Sequence, residues 1–492
     1  MPRHPSASPD AGPTPDARAT DAGDVTRSTI DQTGPVVGKV GEDSLEETQP
    51  RPRSTRWHFQ LIALALVGLV LRIGYVFLYR RHAAPTGDAF FYHYQANLLV
   101  AGKWFVNPYQ YFYFGHTVPA ADHPPLWTLV LALASLVGVK SFFAQILWSC
   151  VVGALAVWLV GLAAREVAGP RTGLIAAGIA AVYPNFWIND GSLLSETLVL
   201  ALTALTICTL YRLWHRPSPW RAAWLGCACA LDALARSELV LLVPIFVVAA
   251  GLLVRQQRIR RRLILIVIAA LAAGVTFIPW YAYNLSRFSD SVPLSSQLGV
   301  TLATANCNTT YYGKLLGYWS LGCALRVHTA KGADPSVQDH EYREAALHYA
   351  EHHESRLPVV VAARLGRELD LYRPLQQIDL EWSILGRPRL PAYLGMGAYY
   401  LAALLSIGGV VALRKRRIPV TPFVALVVVT MFVAAATFGQ TRYRTALDAA
   451  LVILAAAAVD HLAGRLRSSR RLRGNHALGS TQRGDHATTG GG

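Results

Sequence analysis

The sequence FQLIALALVGLVLRIGYVFLY occupies residues 59–79 and contains one charged residue, Arg72. An α-helix needs about 20 mostly apolar residues to cross the hydrocarbon core of a bilayer, so this stretch predicts a membrane span. A charge at the centre of a span costs on the order of 2.5–3.5 kcal/mol, so Arg72 needs a partner and is a candidate functional residue. The sequence RRHAAPTGD follows directly and ends at a lone acid, Asp88.

The composition of the whole chain indicates the same class of protein. Of its 492 residues, 53% are hydrophobic and 15% are charged, whereas soluble domains carry about 25% charged residues. Apolar runs of similar length recur, which predicts an all-α polytopic membrane protein with about ten spans. The predicted spans are 59–79, 142–164, 171–189, 193–213, 221–237, 238–254, 263–282, 391–413, 419–438 and 445–463.

The Lys and Arg residues that give the net charge of +16 stand in short clusters between these runs. If all the runs cross, every cluster falls on one side, which the positive-inside rule assigns to the cytoplasm. We therefore expect both termini in the cytoplasm and the loops 80–141 and 283–390 outside. This distribution is typical of membrane orientation and gives no reason to expect nucleic acid as a partner.

One further apolar run, HPPLWTLVLALASLVGV at 123–139, does not fit this pattern. It opens with His123 followed by two prolines, and if it crossed, every later basic cluster would lie outside. The charge distribution therefore favours a helix on the outer face or a re-entrant helix, which is tolerated where protein covers it.

The chain divides into five predicted segments. Residues 1–56 and 464–492 are polar, without apolar periodicity, and are predicted to be disordered cytoplasmic tails. Residues 57–282 form an N-terminal transmembrane module that contains the first outer loop. Residues 283–390 form a small α-rich outer domain, and residues 391–463 form the C-terminal transmembrane helices.

Two cysteines, Cys307 and Cys323, lie in the long outer loop. An oxidising outer compartment permits a disulfide between them. His348 and His352 in the same loop have the i,i+4 spacing of a zinc pair. The surrounding helix is charged and polar, which favours a solvated face, and we expect no obligatory metal.

Acidic and basic residues also stand inside or at the ends of later spans. Glu196 opens the fourth span, and Asp232 and Arg236 lie in the fifth. A spacing of four residues puts Asp232 and Arg236 on one helix face, where they can pair. Arg236 lies nearer the outer end of its span, so a ligand-facing role is the alternative for it.

Asp88 itself has two interpretations. It could be the N-cap of a helix over 89–101, because a carboxylate accepts hydrogen bonds from free backbone N–H groups and Gly102 would end such a helix. It could instead be the catalytic base of a membrane enzyme, because it stands where the chain leaves the membrane.

Several short motifs occur in an order that resembles one family. They are the acid after the first span, His123-Pro-Pro, YPNFW at 183–187, the acid that opens the next span, and IPWYAYN at 278–284 before a large outer loop. Residues 59–463 are similar in this respect to the GT-C fold glycosyltransferases that use polyprenyl-phosphate sugars. The related members are bacterial proteins like the protein O-mannosyltransferases and the lipid A aminoarabinose transferase.

The resemblance implies an integral cell-membrane enzyme with its active site on the extracytoplasmic side. It implies a polyprenyl-phosphate sugar as donor, a glycan, lipid or protein as acceptor, membrane lipids as surroundings, and no cofactor or divalent metal. Glu196 stands where the family more often has Asp, and Tyr283 stands where it usually has Arg. The implied residues are Asp88 and Glu196 for catalysis, His123, Arg236, Arg442 and Arg444 for the donor phosphate, and Tyr92, Tyr283 and Asn284 for the donor or acceptor pocket.

Two other classes remain open on the sequence alone. A transporter or lipid flippase would also carry charges in its spans, but it tends to show internal repeats or broken helices in two halves, and we see none. A polysaccharide polymerase or ligase of cell-envelope glycans would have a large outer loop and would use Arg and His residues of that loop.

Overall fold

The computed structural model describes residues 53–330 and 332–484, and these residues form helices and loops with one isolated β-bridge, Val106 to Pro119. A π-helical turn at Val76–Arg80 extends the first helix, and 3₁₀ turns lie at Ser237–Leu241, Glu354–Arg356 and Thr441–Arg444. The α-helices are α1 Arg53–Tyr75, α2 Gly87–Val100, α3 Pro108–Phe114, α4 Leu126–Leu136, α5 Phe142–Ala168, α6 Pro170–Val182, α7 Pro184–Asp190, α8 Glu196–His215, α9 Pro219–Ala235, α10 Leu242–Leu252, α11 Ile259–Leu285, α12 Leu298–Ala305, α13 Asn308–Tyr311, α14 Leu321–Ala324, α15 Pro335–Glu351, α16 Leu357–Glu368, α17 Pro374–Leu385, α18 Arg389–Lys415, α19 Thr421–Ala436 and α20 Thr445–Gly484.

Six helical segments of the described chain are long and apolar enough to cross a membrane. They are Thr55–Arg80, Phe142–Ala168, Glu196–His215, Ile259–Leu285, Arg389–Lys415 and Thr441–Arg467. The other four predicted spans correspond to α6, α9, α10 and α19, which have 13, 17, 11 and 16 residues. The predicted span 171–189 is interrupted because Pro184, the first residue of α7, cannot continue the hydrogen bonding of α6.

The apolar run at 123–139 forms α4, which has 11 residues. At 1.5 Å per residue its length is about 16 Å, roughly half of the hydrocarbon thickness. It packs against α2 and α5. The segment 80–141, predicted to be the first outer loop, therefore contains α2, α3 and α4.

Small residues bring the long helices close together. A Cβ atom added at Gly226 of α9 would lie 2.0 Å from the carbonyl oxygen of Ala269 in α11, and one at Gly409 of α18 would lie 2.0 Å from that of Leu454 in α20. Such contacts between small residues and backbone are typical of helix packing within membranes.

Arg72 has a structural partner. Its Nε donates to Oδ2 of Asp190 at 2.5 Å, and both side chains are fully buried. The pair joins α1 to the end of α7, and Gly153 of α5 leaves the space for it, because a Cβ there would lie 2.2 Å from Asp190. The interpretation of Arg72 as a functional residue is therefore replaced by a buried ion pair that satisfies its charge.

The loop 283–390 contains α12 to α17. Cys307 and Cys323 form a disulfide in it. The rings of His348 and His352 lie 4.1 Å apart on α15. Among the residues that the structure describes, no three His, Cys, Asp or Glu side chains are grouped to hold a metal ion.

The two predicted tails fall mostly outside this description. Of 1–56, residues 1–52 lie outside the described residues, and α1 already begins at Arg53. At the other end α20 continues to Gly484, beyond residue 464 where the tail was predicted to start.

Candidate active site

Asp88 does not cap α2. The helix begins one residue earlier, at Gly87, whose φ of +52° suits glycine, and Thr86 holds the N-cap position without a side-chain cap hydrogen bond. Asp88 lies in the first turn and its carboxylate is used elsewhere. The cap interpretation is therefore wrong.

The carboxylate of Asp88 is bound by two residues from distant parts of the chain. Its Oδ2 accepts a hydrogen bond from Nη2 of Arg442 at 2.7 Å, and its Oδ1 lies 3.6 Å from Nε2 of His123. The side chain of Asp88 is 31% exposed, whereas that of Arg442 is 11% exposed. The acid therefore stands at the edge of the protein with a buried arginine behind it.

Glu196, the first residue of α8, lies beneath Asp88 and is fully buried. Its Oε1 accepts from Nε of Arg442 at 2.5 Å and from Nη1 of Arg236 at 2.7 Å. Its Oε2 has no hydrogen-bond partner among the residues that the structure describes. Arg442 thus connects the two acids that the sequence singled out. We call Asp88, Glu196, Arg236 and Arg442 the acid–arginine cluster.

The helical spacing suggested that Arg236 pairs with Asp232, but the structure does not contain this pair. Helix α9 ends at Ala235, and Arg236 has an extended backbone (φ −148°, ψ 124°) that turns its side chain away from the preceding helix face. It also pairs with Glu238 at 2.5 Å. Asp232 instead accepts a hydrogen bond from Oγ1 of Thr203.

His123 is held against Asp88 by aromatic packing. Its ring stacks on Tyr92 of α2 with a centroid distance of 4.8 Å, and the ring of Phe91 is nearly perpendicular to it with a centroid distance of 5.0 Å. Its neighbour Asp122 is a further acid that sequence reasoning missed. Asp122 lies near enough to Asp88 and His123 to interact with their charges, and its only sequence signal is its place before His-Pro-Pro.

The pKa values of the two acids in the segment 80–141, Asp88 and Asp122, are shifted in opposite directions. Burial alone would raise the pKa of Asp88, but the charge of Arg442, followed by the contact with His123, holds that pKa well below its usual range. Burial raises the pKa of the Asp122 carboxyl. Asp88 is therefore ionised throughout the neutral pH range and forms an ion pair with Arg442.

Three predicted site residues lie away from the acid–arginine cluster. Arg444 donates to Asp448 at 3.1 Å and to Asp370 at 3.2 Å. Tyr283 lies against Trp104, which it contacts at 3.4 Å through the Trp104 carbonyl oxygen. Asn284 is fully buried and donates to the carbonyl oxygen of Val292. These three residues therefore contact other parts of the fold, and the structure does not bring them to Asp88.

The fold resembles that of an oligosaccharyltransferase from Archaeoglobus fulgidus. One crystal structure, tethered with an acceptor peptide containing the NVT sequon, shares 14% identity at a TM-score of 0.52 and covers 85% of this chain and 51% of its own. A second, in complex with Zn and sulfate, also shares 14% identity and has the same coverage at a TM-score of 0.50. This chain thus spans about half the length of that protein.

A more distant likeness is to ArnT from Cupriavidus metallidurans bound to undecaprenyl phosphate, with 14% identity, a TM-score of 0.35, and coverage of 82% of this chain and 78% of that one. That score is too low for the likeness to bear on this chain.

No curated protein matches the sequence. The family model described as dolichyl-phosphate-mannose-protein mannosyltransferase matches residues 122–283, a range that contains His123, Glu196 and Arg236. Asp88 and Arg442 lie outside the matched range. The resemblance to the GT-C glycosyltransferases is thus confirmed: the chain has the fold of the oligosaccharyltransferase, and over residues 122–283 it matches the mannosyltransferase family.

Proposed function

We propose that the chain is an integral membrane glycosyltransferase that moves a hexose or pentose from a polyprenyl-phosphate donor to an acceptor hydroxyl on the extracytoplasmic side. The observation that carries the proposal is the acid–arginine cluster, in which a partly exposed carboxylate lies 2.7 Å from a buried guanidinium. A base and a phosphate-binding cation stand side by side at the edge of the outer loop, as sugar transfer from a lipid phosphate requires.

Asp88 is the general base of the proposed reaction. The acceptor oxygen forms a bond to the anomeric carbon while the bond from that carbon to the donor phosphate oxygen breaks, and the hydroxyl proton passes to Asp88. Direct displacement inverts the configuration of the sugar. A carboxylate within hydrogen-bond reach can accept this proton in the transition state.

The leaving phosphate gains negative charge as its bond to the sugar breaks. Fixed cations stabilise such a developing charge when they need no reorganisation to do so. Arg442 is fixed by two acids through its Nε and Nη2 atoms, and Arg236 and His123 flank it. Glu196 serves both arginines as a buried counter-ion and therefore acts as a positioning residue in this proposal.

The proposed donor also activates the base. A carboxylate whose pKa is far below neutral is a weak proton acceptor, because its basicity falls with its pKa. A phosphate that binds Arg442 competes with Asp88 for the guanidinium charge. Since Arg442 is the main cause of the lowered pKa of Asp88, donor binding raises that pKa and makes the acid a better base.

The first test is the substitution Asp88→Asn. The amide has nearly the same shape but cannot accept the hydroxyl proton, so we expect transfer to fall by roughly 10²–10⁴-fold. The assay measures release of polyprenyl phosphate and transfer of radiolabelled sugar by purified protein in detergent or liposomes. Near-normal turnover of a folded Asp88→Asn protein would show that the base has been assigned wrongly.

The acceptor is proposed to be a glycan, lipid or protein that the outer loop 283–390 recognises. We propose a cell-membrane location with both termini in the cytoplasm, and neither a cofactor nor a divalent metal as a requirement. Assay of the washed protein with and without a chelator tests the metal requirement directly.

A further inference from the structure

The 3₁₀ turn Thr441–Arg444 (the 441–444 turn) carries Arg442 to Asp88 and Glu196. On its other side this turn is held by the outer loop. Helix α16 packs directly on it, and the chain just before it donates from the backbone N–H of Gly439 to the carbonyl oxygen of Gly317 at 3.0 Å. The position of Arg442 therefore depends on contacts made far from the membrane helices.

Among the hydrogen bonds between the loop 283–390 and the 441–444 turn, the one made by the side chain of Glu381 in α17 lies next to Arg442 in the chain. Oε1 of Glu381 accepts from Oγ1 of Thr441 at 2.5 Å, and Thr441 is the residue directly before Arg442. Its Oε2 accepts from Nη1 of Arg387 at 3.2 Å. Arg387 in turn donates to the side chain of Asn189, at the end of α7, at 2.6 Å. Glu381 is thus fixed on one side and holds the 441–444 turn on the other.

A second acid of the loop, Glu368, makes a weaker candidate. Its Oε2 accepts from the backbone N–H of Gln440 at 3.1 Å. Burial raises the pKa of Glu368 to about 8, so it is mostly protonated at neutral pH and cannot hold the turn by charge. Any acid or amide of the same shape would accept this hydrogen bond.

The contact made by Glu381 is not supported by close apolar packing between α17 and the 441–444 turn. A cavity of about 30 Å³ lies between α17 and the 441–444 turn, which is room for about two water molecules. Its polar lining residues include Asn189, Asp370, Gln377, Glu381, Arg387 and Thr441. Across a polar cavity of this kind, individual hydrogen bonds decide where the turn lies.

We propose that Glu381 is a positioning residue for the active site, which fixes Arg442 against Asp88 and Glu196 by holding Thr441. The outer loop then sets the geometry of the transfer site as well as any contact with the acceptor. This inference rests on the proposed function, because it assigns Glu381 an effect on the reaction through Arg442.

The inference predicts a change in pH dependence as well as in rate. If Arg442 withdraws, the effect of burial on Asp88 is no longer opposed and the pKa of Asp88 rises towards or above its ordinary value of about 3.9. A protonated Asp88 cannot act as base, so activity then falls at the acid end of the range. The charged and titratable groups that face Asp88 include Arg442, His123, Asp122, Glu196, Tyr92, Tyr109 and Tyr443.

The experiment compares four variants in the sugar-transfer assay between pH 4 and 8. Glu381→Ala and Thr441→Val remove the same hydrogen bond from opposite sides, and misplacement of a catalytic group by about 1 Å can cost 10²-fold in rate. Glu381→Gln keeps one acceptor oxygen for Thr441 but loses the acceptor for Arg387, so it should restore part of the rate. The matched control is Asp379→Asn on the same helix, where 57% of the Asp379 side chain is exposed in its pair with Arg389.

We expect kcat to fall by about 10²-fold in Glu381→Ala and Thr441→Val. We also expect their pH profile of kcat/KM, which reports the free enzyme, to show an acid limb that the native protein and Asp379→Asn lack. An equal loss at every pH, or a full loss in Glu381→Gln, would overturn the positioning role and leave a general folding defect. If Asp88→Asn is inactive while Glu381→Ala has native rate and pH profile, only this inference fails. If Asp88→Asn is active, the proposed function fails first.

Discussion

Arg442 is the residue on which the candidate site depends, because one guanidinium serves two acids from separate helices. Its Nε binds Glu196 and its Nη2 binds Asp88. The planar group presents these donors in a fixed fork, which a lysine ammonium cannot reproduce over the same span. The site therefore requires arginine specifically, and not merely a positive charge.

The substitution Arg442→Lys tests this requirement. We expect kcat/KM for the donor to fall by about 10- to 100-fold, because one charge-assisted hydrogen bond of about 1.5–3 kcal/mol is lost. Donor titrations of transfer rate by purified variants give the number. Arg389→Lys is the control, since Arg389 is 49% exposed in its ion pair with Asp379. Equal kcat/KM in Arg442→Lys and the native protein would refute the bridging role.

The residue types of this site could be predicted from the sequence, but the directions in which their side chains point could not. Arg442 and Arg444 lie two positions apart on a 3₁₀ turn, and with about three residues per turn they leave the axis on different sides. Arg442 meets Asp88, while Arg444 meets Asp370 and Asp448. Nothing in the local sequence distinguishes the two sides, because the acids that select them are far away in the chain.

At the scale of helices, close packing depends on glycine at a few crossings. Gly226 of α9 faces the backbone of α11, whereas Gly274 of α11 has open space around the position of a Cβ atom. The same substitution should therefore have opposite effects at the two positions.

We expect Gly226→Ala to destabilise the fold by about 1–3 kcal/mol, because the methyl group must push α9 from α11. Gly274→Ala should be neutral or stabilising by up to about 1 kcal/mol, because alanine favours helix more than glycine does. Thermal unfolding of both purified variants in one detergent measures the difference. Equal melting temperatures would show that the crossing tolerates the added volume.

Helix positions followed from apolar periodicity more reliably than helix lengths. The predicted spans 142–164 and 391–413 lie within α5 and α18. The predicted range 171–189 became two helices because of Pro184, and 221–237 is shifted by two residues to Pro219–Ala235. Hydropathy records where a chain is apolar, whereas helix ends depend on proline and on the partners of the residues at the end. At the end of α9, for example, Arg236 pairs with Glu196.

At the scale of the molecule, the orientation in the membrane follows from the basic clusters and is open to a direct test. Single cysteines at Thr86 and Ser141 should react with an impermeant thiol reagent added to intact cells, and one at Ser218 should not. Reaction requires exposure to the outer medium, and the first two positions are exposed on the protein surface. Labelling after membrane permeabilisation is the control. Protection at Ser141 would mean that the segment containing α4 crosses the membrane.

The link between the outer loop and the active site lay beyond sequence reasoning. Glu381 and Thr441 are separated by 60 positions, and their contact depends on how α17 lies beside the 441–444 turn. The sequence indicated a loop domain at 283–390 and a disulfide within it. It could not indicate that this domain holds Arg442 against Asp88, because the proposed connection is the hydrogen bond between Thr441 and Glu381, one polar pair among many.

The distances along the chain between the paired residues have a consequence for biogenesis. Arg442 follows Asp88 by 354 positions and Glu196 by 246. At roughly 5–20 residues per second, ribosomes complete the arginine on the order of tens of seconds after the acids. During that interval Glu196 must be inserted with a proton or with Arg236 as its partner, since an unpaired carboxylate is costly in the bilayer. A chain released before the 441–444 turn would keep both acids but lack the cation between them, so the site can form only after Arg442 has been synthesised.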